Sequence, residues 1–251
     1  METMNQIQRC IHIFPRFEDS IRIDNYRKKH DYLYNCIEPH ITLVFPFFSN
    51  IEDDMIAYDI VNLVNEFNPF EITCNGFTKL KGKENCIAVN IVKGFKEIYE
   101  LHYLVHKGIL KPYHSELTRN GSYIPHMTIG RFKSEKEMDI AFMELDNELW
   151  NLSTIVKSIF IEEIGKNEES ILKNEIFLTD KKYIQQVLQP DLPFVTILAC
   201  ATIAPSLRFQ LRHRTAQVKP MLDRFKYSSR KIHENCSYNG LTYSRWFIKT
   251  L

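Results

Sequence analysis

Residues 9–14 (RCIHIF) alternate along the two-residue period of a strand, and residues 18–35 are polar with helix-compatible spacing. A second strand is expected from His40. Within residues 52–67, Met55, Ile56, Ile60, Leu63, Val64 and Phe67 recur at intervals of three and four, which places them on one face of a helix that should cover a sheet. After Pro69, FEITCNGF and CIAVNIV are strand-like runs joined by the Lys/Gly-rich KLKGKEN, a hairpin pattern. Helical spacing returns over residues 95–109.

A similar order follows. A strand is expected over residues 126–132, a helix over 134–149, and strands over 153–164 and 170–178. The fold class is therefore α+β: two pseudo-symmetric lobes of mainly antiparallel sheet with outer helices around a central cleft. Beyond residue 181 the regularity is lost, with Pro190, Pro193, Pro205 and Pro220 interrupting it. This sets a domain boundary there, giving a bilobal domain over 1–180 and a basic C-terminal extension of unknown role over 181–251.

Composition changes this picture little. Hydrophobic residues are 44% and charged residues 25%, enough apolar material for a packed core and too balanced for a disordered chain. The net charge of +1 conceals an uneven distribution, because residues 181–251 hold 12 Lys and Arg against 3 Asp and Glu. Arg208, Arg212, Arg214, Lys219 and Arg224 resemble a nucleic-acid-contacting stretch only in charge, and a solvated surface is the preferred reading. The six cysteines form no C-x-x-C pair and read as reduced thiols. No secretory signal is read in METMNQIQRCIHIF, and the apolar run over residues 192–204 is shorter than the roughly 20 residues a membrane helix needs. A cytoplasmic protein without membrane contact is expected.

The chemistry lies in a repeat. Residues 39–45 read PHITLVF and residues 125–131 read PHMTIGR, both Pro-His-apolar-Thr-apolar. On a strand, His40 and Thr42 share one face while Ile41 and Leu43 take the other, and His126, Thr128, Met127 and Ile129 repeat the arrangement. One His-x-Thr on a strand is ordinarily structural. Two, each after a proline and 86 residues apart in a chain that repeats its element order, point to a shared site. In-line displacement at phosphorus needs a base on one side and an acid on the other, and two imidazoles with an ordinary pKa near 6.5 supply both. The threonine hydroxyls donate to the non-bridging oxygens, and no metal or other cofactor is required.

EPHITLVFPF and YIPHMTIGRF resemble the paired H-x-T motifs of the 2H phosphoesterase superfamily, especially bacterial 2′-5′ RNA ligase or RNA 2′,3′-cyclic phosphodiesterase-like proteins. The resemblance covers roughly residues 7–179. It implies two α+β lobes around a cleft and hydrolysis of a 2′,3′-cyclic phosphate to a 2′-phosphate. It further implies His126 as the activator of water and His40 as the proton donor to the departing 3′ oxygen. Reverse, ligase-type chemistry is known in the family, but hydrolysis is the expectation here. The alternatives are a phosphodiesterase degrading a cyclic or 2′-5′-linked signalling nucleotide in antiviral defence or counter-defence, and a module that binds RNA or nucleotide phosphate without cleaving it.

Four neighbours are weaker candidates for substrate contact. Arg131 stands three residues beyond Thr128, so regular alternation turns it away from the site unless the strand bulges at Gly130. Phe45, Tyr123 and Phe132, with Phe47, flank the motifs and offer stacking surfaces for a base, though core packing explains such aromatics equally well. His102 and His106 have the i, i+4 spacing of metal ligands. Tyr103 stands where a zincin motif has glutamate, so they are read as surface or semi-buried residues without a metal.

Overall fold

A computed structural model describes residues 6–179 except 83, 146, 147 and 149. The expected basic extension, with its apolar run and arginines, lies outside the described residues. The chain runs β1 (Ile7–Ile13), α1 (Ile21–His30), β2 (Ile41–Ser49), α2 (Asp53–Leu63), β3 (Phe70–Leu80), β4 (Asn85–Lys93) and α3 (Phe95–Val105). A 3-10 turn (Lys111–Tyr113), α4 (Glu116–Arg119), β5 (His126–Phe132), α5 (Glu135–Met143), β6 (Leu152–Val156), β7 (Ser158–Ile164) and β8 (Ser170–Phe177) follow.

Among the described residues, eight strands make two four-stranded antiparallel sheets, ordered β2-β1-β7-β8 and β5-β4-β3-β6. Each sheet carries one His-x-Thr strand at an edge, beside the strand that precedes it in sequence. The chain begins in the first sheet, builds the second, and returns to finish the first. This return explains a difference from the sequence reading: the single strand expected over 153–164 breaks at Lys157 into β6 and β7, which belong to different sheets. A strand period persists on both sides of Lys157, so periodicity alone does not reveal the crossing.

Two helices are exchanged between sheets, while α2 and α5 pack on the sheet of the strand they follow. α1, which follows β1, packs on β5, and α3, which follows β4, packs on β2. Of the expected face, Ile56, Ile60 and Val64 are buried, Leu63 and Phe67 are half-buried and Met55 is 59% exposed, while Ala57 and Val61, outside the expected set, are also buried. Fully burying an Ile such as Ile60 contributes about 1.5–3 kcal/mol. α5 starts with Ser134 Oγ accepting from Glu137 N while Glu137 reaches back to Lys133 N, a reciprocal cap. It ends at Met143, earlier than expected.

α3 begins at Gly94, whose φ of +82° and close approach to Ile72 and the Glu71 carbonyl exclude a side chain. His102 and His106, read from spacing as surface or semi-buried, are only 3% and 5% exposed. The cause is that α3 turns this face toward β2, where His102 donates to the Leu43 carbonyl. Among the described residues, no helix is long and apolar enough to cross a membrane.

Candidate active site

β2 and β5 are edge strands of separate sheets, and they contact one another. Alternation works as the sequence requires. Ile41, Leu43, Met127 and Ile129 are fully buried in the layers behind, whereas His40, Thr42, His126 and Thr128 are half-buried. The two imidazoles are held alike. His40 Nδ1 lies 2.8 Å from the Glu38 carbonyl, and His126 Nδ1 lies 2.8 Å from the Ile124 carbonyl. A carbonyl only accepts, so Nδ1 carries the proton in both rings, and in the neutral ring Nε2 is left with its lone pair.

Both strands also bulge at the same place. In β2, Thr42 pairs with His12 and Val44 with Ile11, leaving Leu43 as an extra residue. In β5, Thr128 pairs with Ala88 and Gly130 with Ile87, leaving Ile129 extra. The second bulge restores Arg131 to the site face: it pairs with Cys86, two residues from Ala88 on a strand that keeps its alternation. A Cβ at Gly130 would meet the tip of the Phe132 ring at 2.8 Å, so any side chain there displaces that ring.

Arg131 is fixed from behind. Its Nη1 donates to Asp31 Oδ1 at 2.7 Å, and Glu84 lies 3.6 Å from its Nε. Asp31, fully buried at the end of α1, also accepts from Arg27 Nε at 2.9 Å, and Arg27 donates to the Ile37 carbonyl. The position matching Arg131 in the first copy is Phe45, so the site is symmetric in its His and Thr groups and one-sided in its cation.

A third histidine joins the site from β1. His12, opposite Thr42, is 3% exposed and sets its ring edge-on to His40, with centroids 4.3 Å apart. Its Nε2 lies 3.6 Å from Glu162 Oε1, and the other Glu162 oxygen accepts from Ser170 Oγ. The matching residue in the second copy is Ala88, so this pair supports His40 alone. Sequence reasoning missed His12, Glu162 and Asp31. His12 has the strand alternation that flags His40, but which residue faces Thr42 is a fact of non-local pairing.

Electrostatics separates the two site histidines. Burial, then His12, then Arg131 and Arg27 hold His40 well below its ordinary 6.5, against the opposing pull of its bond to Glu38. His126 is lowered by burial and then by Arg131, with its bond to Ile124 opposing. Arg131 acts on both rings, so its charge lies within reach of each.

The aromatic candidates divide. Tyr123 is 4% exposed, stacks on His102 at 3.8 Å and donates its hydroxyl to the Thr42 carbonyl at 2.8 Å, so it braces β2 instead of offering a face to a ligand. Phe132 folds over Gly130 against His30, with ring centroids 5.7 Å apart. Phe47 is buried against Tyr113, and Phe45 is half-buried on β2. A hollow of about 210 Å³ lined by Phe14, Tyr34, Ile37 and Glu38 opens beside His40, whose ring is 6.1 Å from that of Phe14.

A family model described as the 2′-5′ RNA ligase superfamily matches residues 15–168. A protein of Bacillus mycoides (strain KBAB4) named "Putative phosphoesterase" is 32% identical over 131 residues, covering 50% of this chain and 70% of the relative. A protein of the same description from Bacillus cytotoxicus is 27% identical over 161 residues, covering 56% of this chain and 90% of the relative. Among solved structures, E. coli LigT complexed with 3′-AMP has the same fold, at a TM-score of 0.50 and 13% identity over 70% of this chain and 99% of LigT. The family match runs from before α1 into the turn before β8 and takes in both His-x-Thr copies, and the chain belongs to the 2′-5′ RNA ligase superfamily of 2H phosphoesterases.

Proposed function

We propose that this chain hydrolyses a 2′,3′-cyclic phosphate or a 2′-5′ phosphodiester at the end of an RNA or oligonucleotide. The observation that carries this reading is the matched pair of Nδ1-anchored imidazoles, His40 and His126, on two touching edge strands. Thr42 and Thr128 donate to the non-bridging oxygens, and Arg131, oriented by Asp31, balances the charge that gathers there. The fold neighbour solved with 3′-AMP suits a nucleotide ligand, and the hollow beside His40 offers its base the ring of Phe14 or Tyr34.

The chemistry is a single in-line displacement. One imidazole takes a proton from water as its oxygen attacks phosphorus. The P–O3′ bond breaks on the opposite side, and the other imidazole gives its proton to O3′, leaving a 2′-phosphate and a 3′-hydroxyl. His126 is the base and His40 the acid, the order that the family resemblance implies, and burial and Arg131 lower both rings. Every step runs on side chains alone. The four described cysteines are free, which suits a cytoplasmic setting.

The test uses the full chain in excess chelator with cyclic mononucleotides, RNA ends carrying a 2′,3′-cyclic phosphate, linear 2′-5′ oligomers and cyclic dinucleotides. Ring opening or 2′-5′ cleavage that vanishes in the His40→Ala/His126→Ala double variant is expected. Turnover that persists in that variant removes the reading. Turnover confined to cyclic dinucleotides moves the substrate to a signalling nucleotide, and tight binding without product makes the chain a binding module.

A further inference from the structure

Behind β2, away from the reacting groups, stands a second cluster of histidines. His102 and His106 occupy successive turns of one face of α3, and His114 approaches from the segment between the 3-10 turn and α4. One ligand atom from each lies within 4.8 Å of the others. His102 Nδ1 donates to the Leu43 carbonyl at 2.7 Å, and His106 Nδ1 donates to the His102 carbonyl at 2.6 Å. Both rings are therefore oriented in the way that metal-binding imidazoles are, with one nitrogen tied to backbone and Nε2 left as a lone-pair donor. His102 Nε2 and His114 Nε2 are buried without a hydrogen-bond partner, although His102 is only 3% exposed. Buried polar atoms in native proteins are nearly always partnered, so two orphans in one cluster require a reason.

We propose that His102, His106 and His114 form a binding site for a divalent transition-metal ion of the zinc class, structurally separate from His40 and His126. The donor set decides the metal. Three neutral imidazoles and no carboxylate suit zinc, copper, nickel or cobalt and do not suit magnesium or calcium. Tetrahedral zinc with bonds of 2.0–2.1 Å keeps its nitrogens about 3.4 Å apart, so the cluster contracts modestly on binding. His114, which stacks on His106 at 4.0 Å and sits outside α3, is the ligand that moves. A groove of about 360 Å³ bordered by Tyr103, Lys111, Thr118 and Arg119 opens onto the cluster, leaving the fourth position to water or to an anion drawn by those cations.

The site has a mechanical consequence. His102 is bonded to Leu43 and stacked on Tyr123, which is itself bonded to Thr42. A metal here ties the segment after the 3-10 turn to α3 and fixes the His102 ring, whose other nitrogen holds the edge strand that carries the first His-x-Thr pair.

The experiment uses tag-free full-length protein stripped with chelator, then titrated with Zn²⁺ by calorimetry and with Co²⁺ by visible spectroscopy. Expected are one equivalent per chain, the intense visible bands of low-coordinate cobalt and a raised Tm. His114→Ala, outside any regular element, and His106→Gln should each weaken binding by more than the roughly 100-fold that losing an outer-shell partner can bring. The His40→Ala/His126→Ala variant should bind as the parent does. Absence of Zn²⁺ and Co²⁺ binding, or binding that persists in His114→Ala and His106→Gln with circular dichroism unchanged, would overturn the proposal. Because metal content is the readout, its failure is distinguishable from failure of the phosphodiesterase reading.

Discussion

His40 and His126 make the same hydrogen bond, each giving its Nδ1 proton at 2.8 Å to the carbonyl two residues earlier, Glu38 or Ile124. Two side chains from different sheets are thus locked into one tautomer by their own strand entries. Replacing either with alanine should lower turnover of a 2′,3′-cyclic nucleotide on the order of 10²–10⁴-fold. The double variant should be little worse than the more damaged single variant, since acid and base act as a unit. Initial-rate measurements on all three decide it.

The roles are separable through the leaving group. An analogue with sulfur in place of O3′ expels a thiolate that needs no proton. It should restore much of the rate of His40→Ala and little of that of His126→Ala. The opposite pattern would give the acid role to His126.

The pH profile carries a sign. Both site histidines lie below 6.5, through burial first and then through His12 and Arg131 for His40 and Arg131 for His126. The singly protonated pair is therefore most populated below that pH, and kcat/KM for the free enzyme should peak on the acid side of 6.5. His12→Gln keeps a donor for Glu162 but removes the imidazole that lowers His40, so it should move the profile upward in pH.

Asp31 holds two arginines with different duties. Arg131→Gln leaves Asp31 its bond to Arg27, and it should cost kcat/KM roughly 10- to 100-fold, from about 1.5–3 kcal/mol for a charged hydrogen bond, with little loss of stability. Arg27→Met strips the buried carboxylate on the other side and should destabilise by about 3–5 kcal/mol in urea denaturation.

Tyr123→Phe removes the bond from the loop before β5 to the Thr42 carbonyl. About 1 kcal/mol of stability should be lost. A fall in kcat with unchanged KM would mark the bond as a brace for β2.

What the sequence reveals follows range. Alternation within β2 and β5 is local, so the shared face of His40 and Thr42 and that of His126 and Thr128 are readable without coordinates. Arg131 is not, because two-residue counting fails across the extra residue at Ile129, and only the partner strand shows the slip. His12 becomes a neighbour of Thr42 through antiparallel pairing, and Glu162 reaches His12 from β7, which joins β1 across most of the chain. Tyr123 illustrates a further limit: a flanking aromatic looks the same whether its ring faces a base or a buried imidazole.

The exchange of helices, with α1 on β5 and α3 on β2, resembles two hands each gripping the opposite wrist. Neither sheet can drift from the other without prising a helix off a neighbour's back. The spacing of the two His-x-Thr pairs is thereby set at folding, and under the proposed function binding free energy need not be spent on bringing them together.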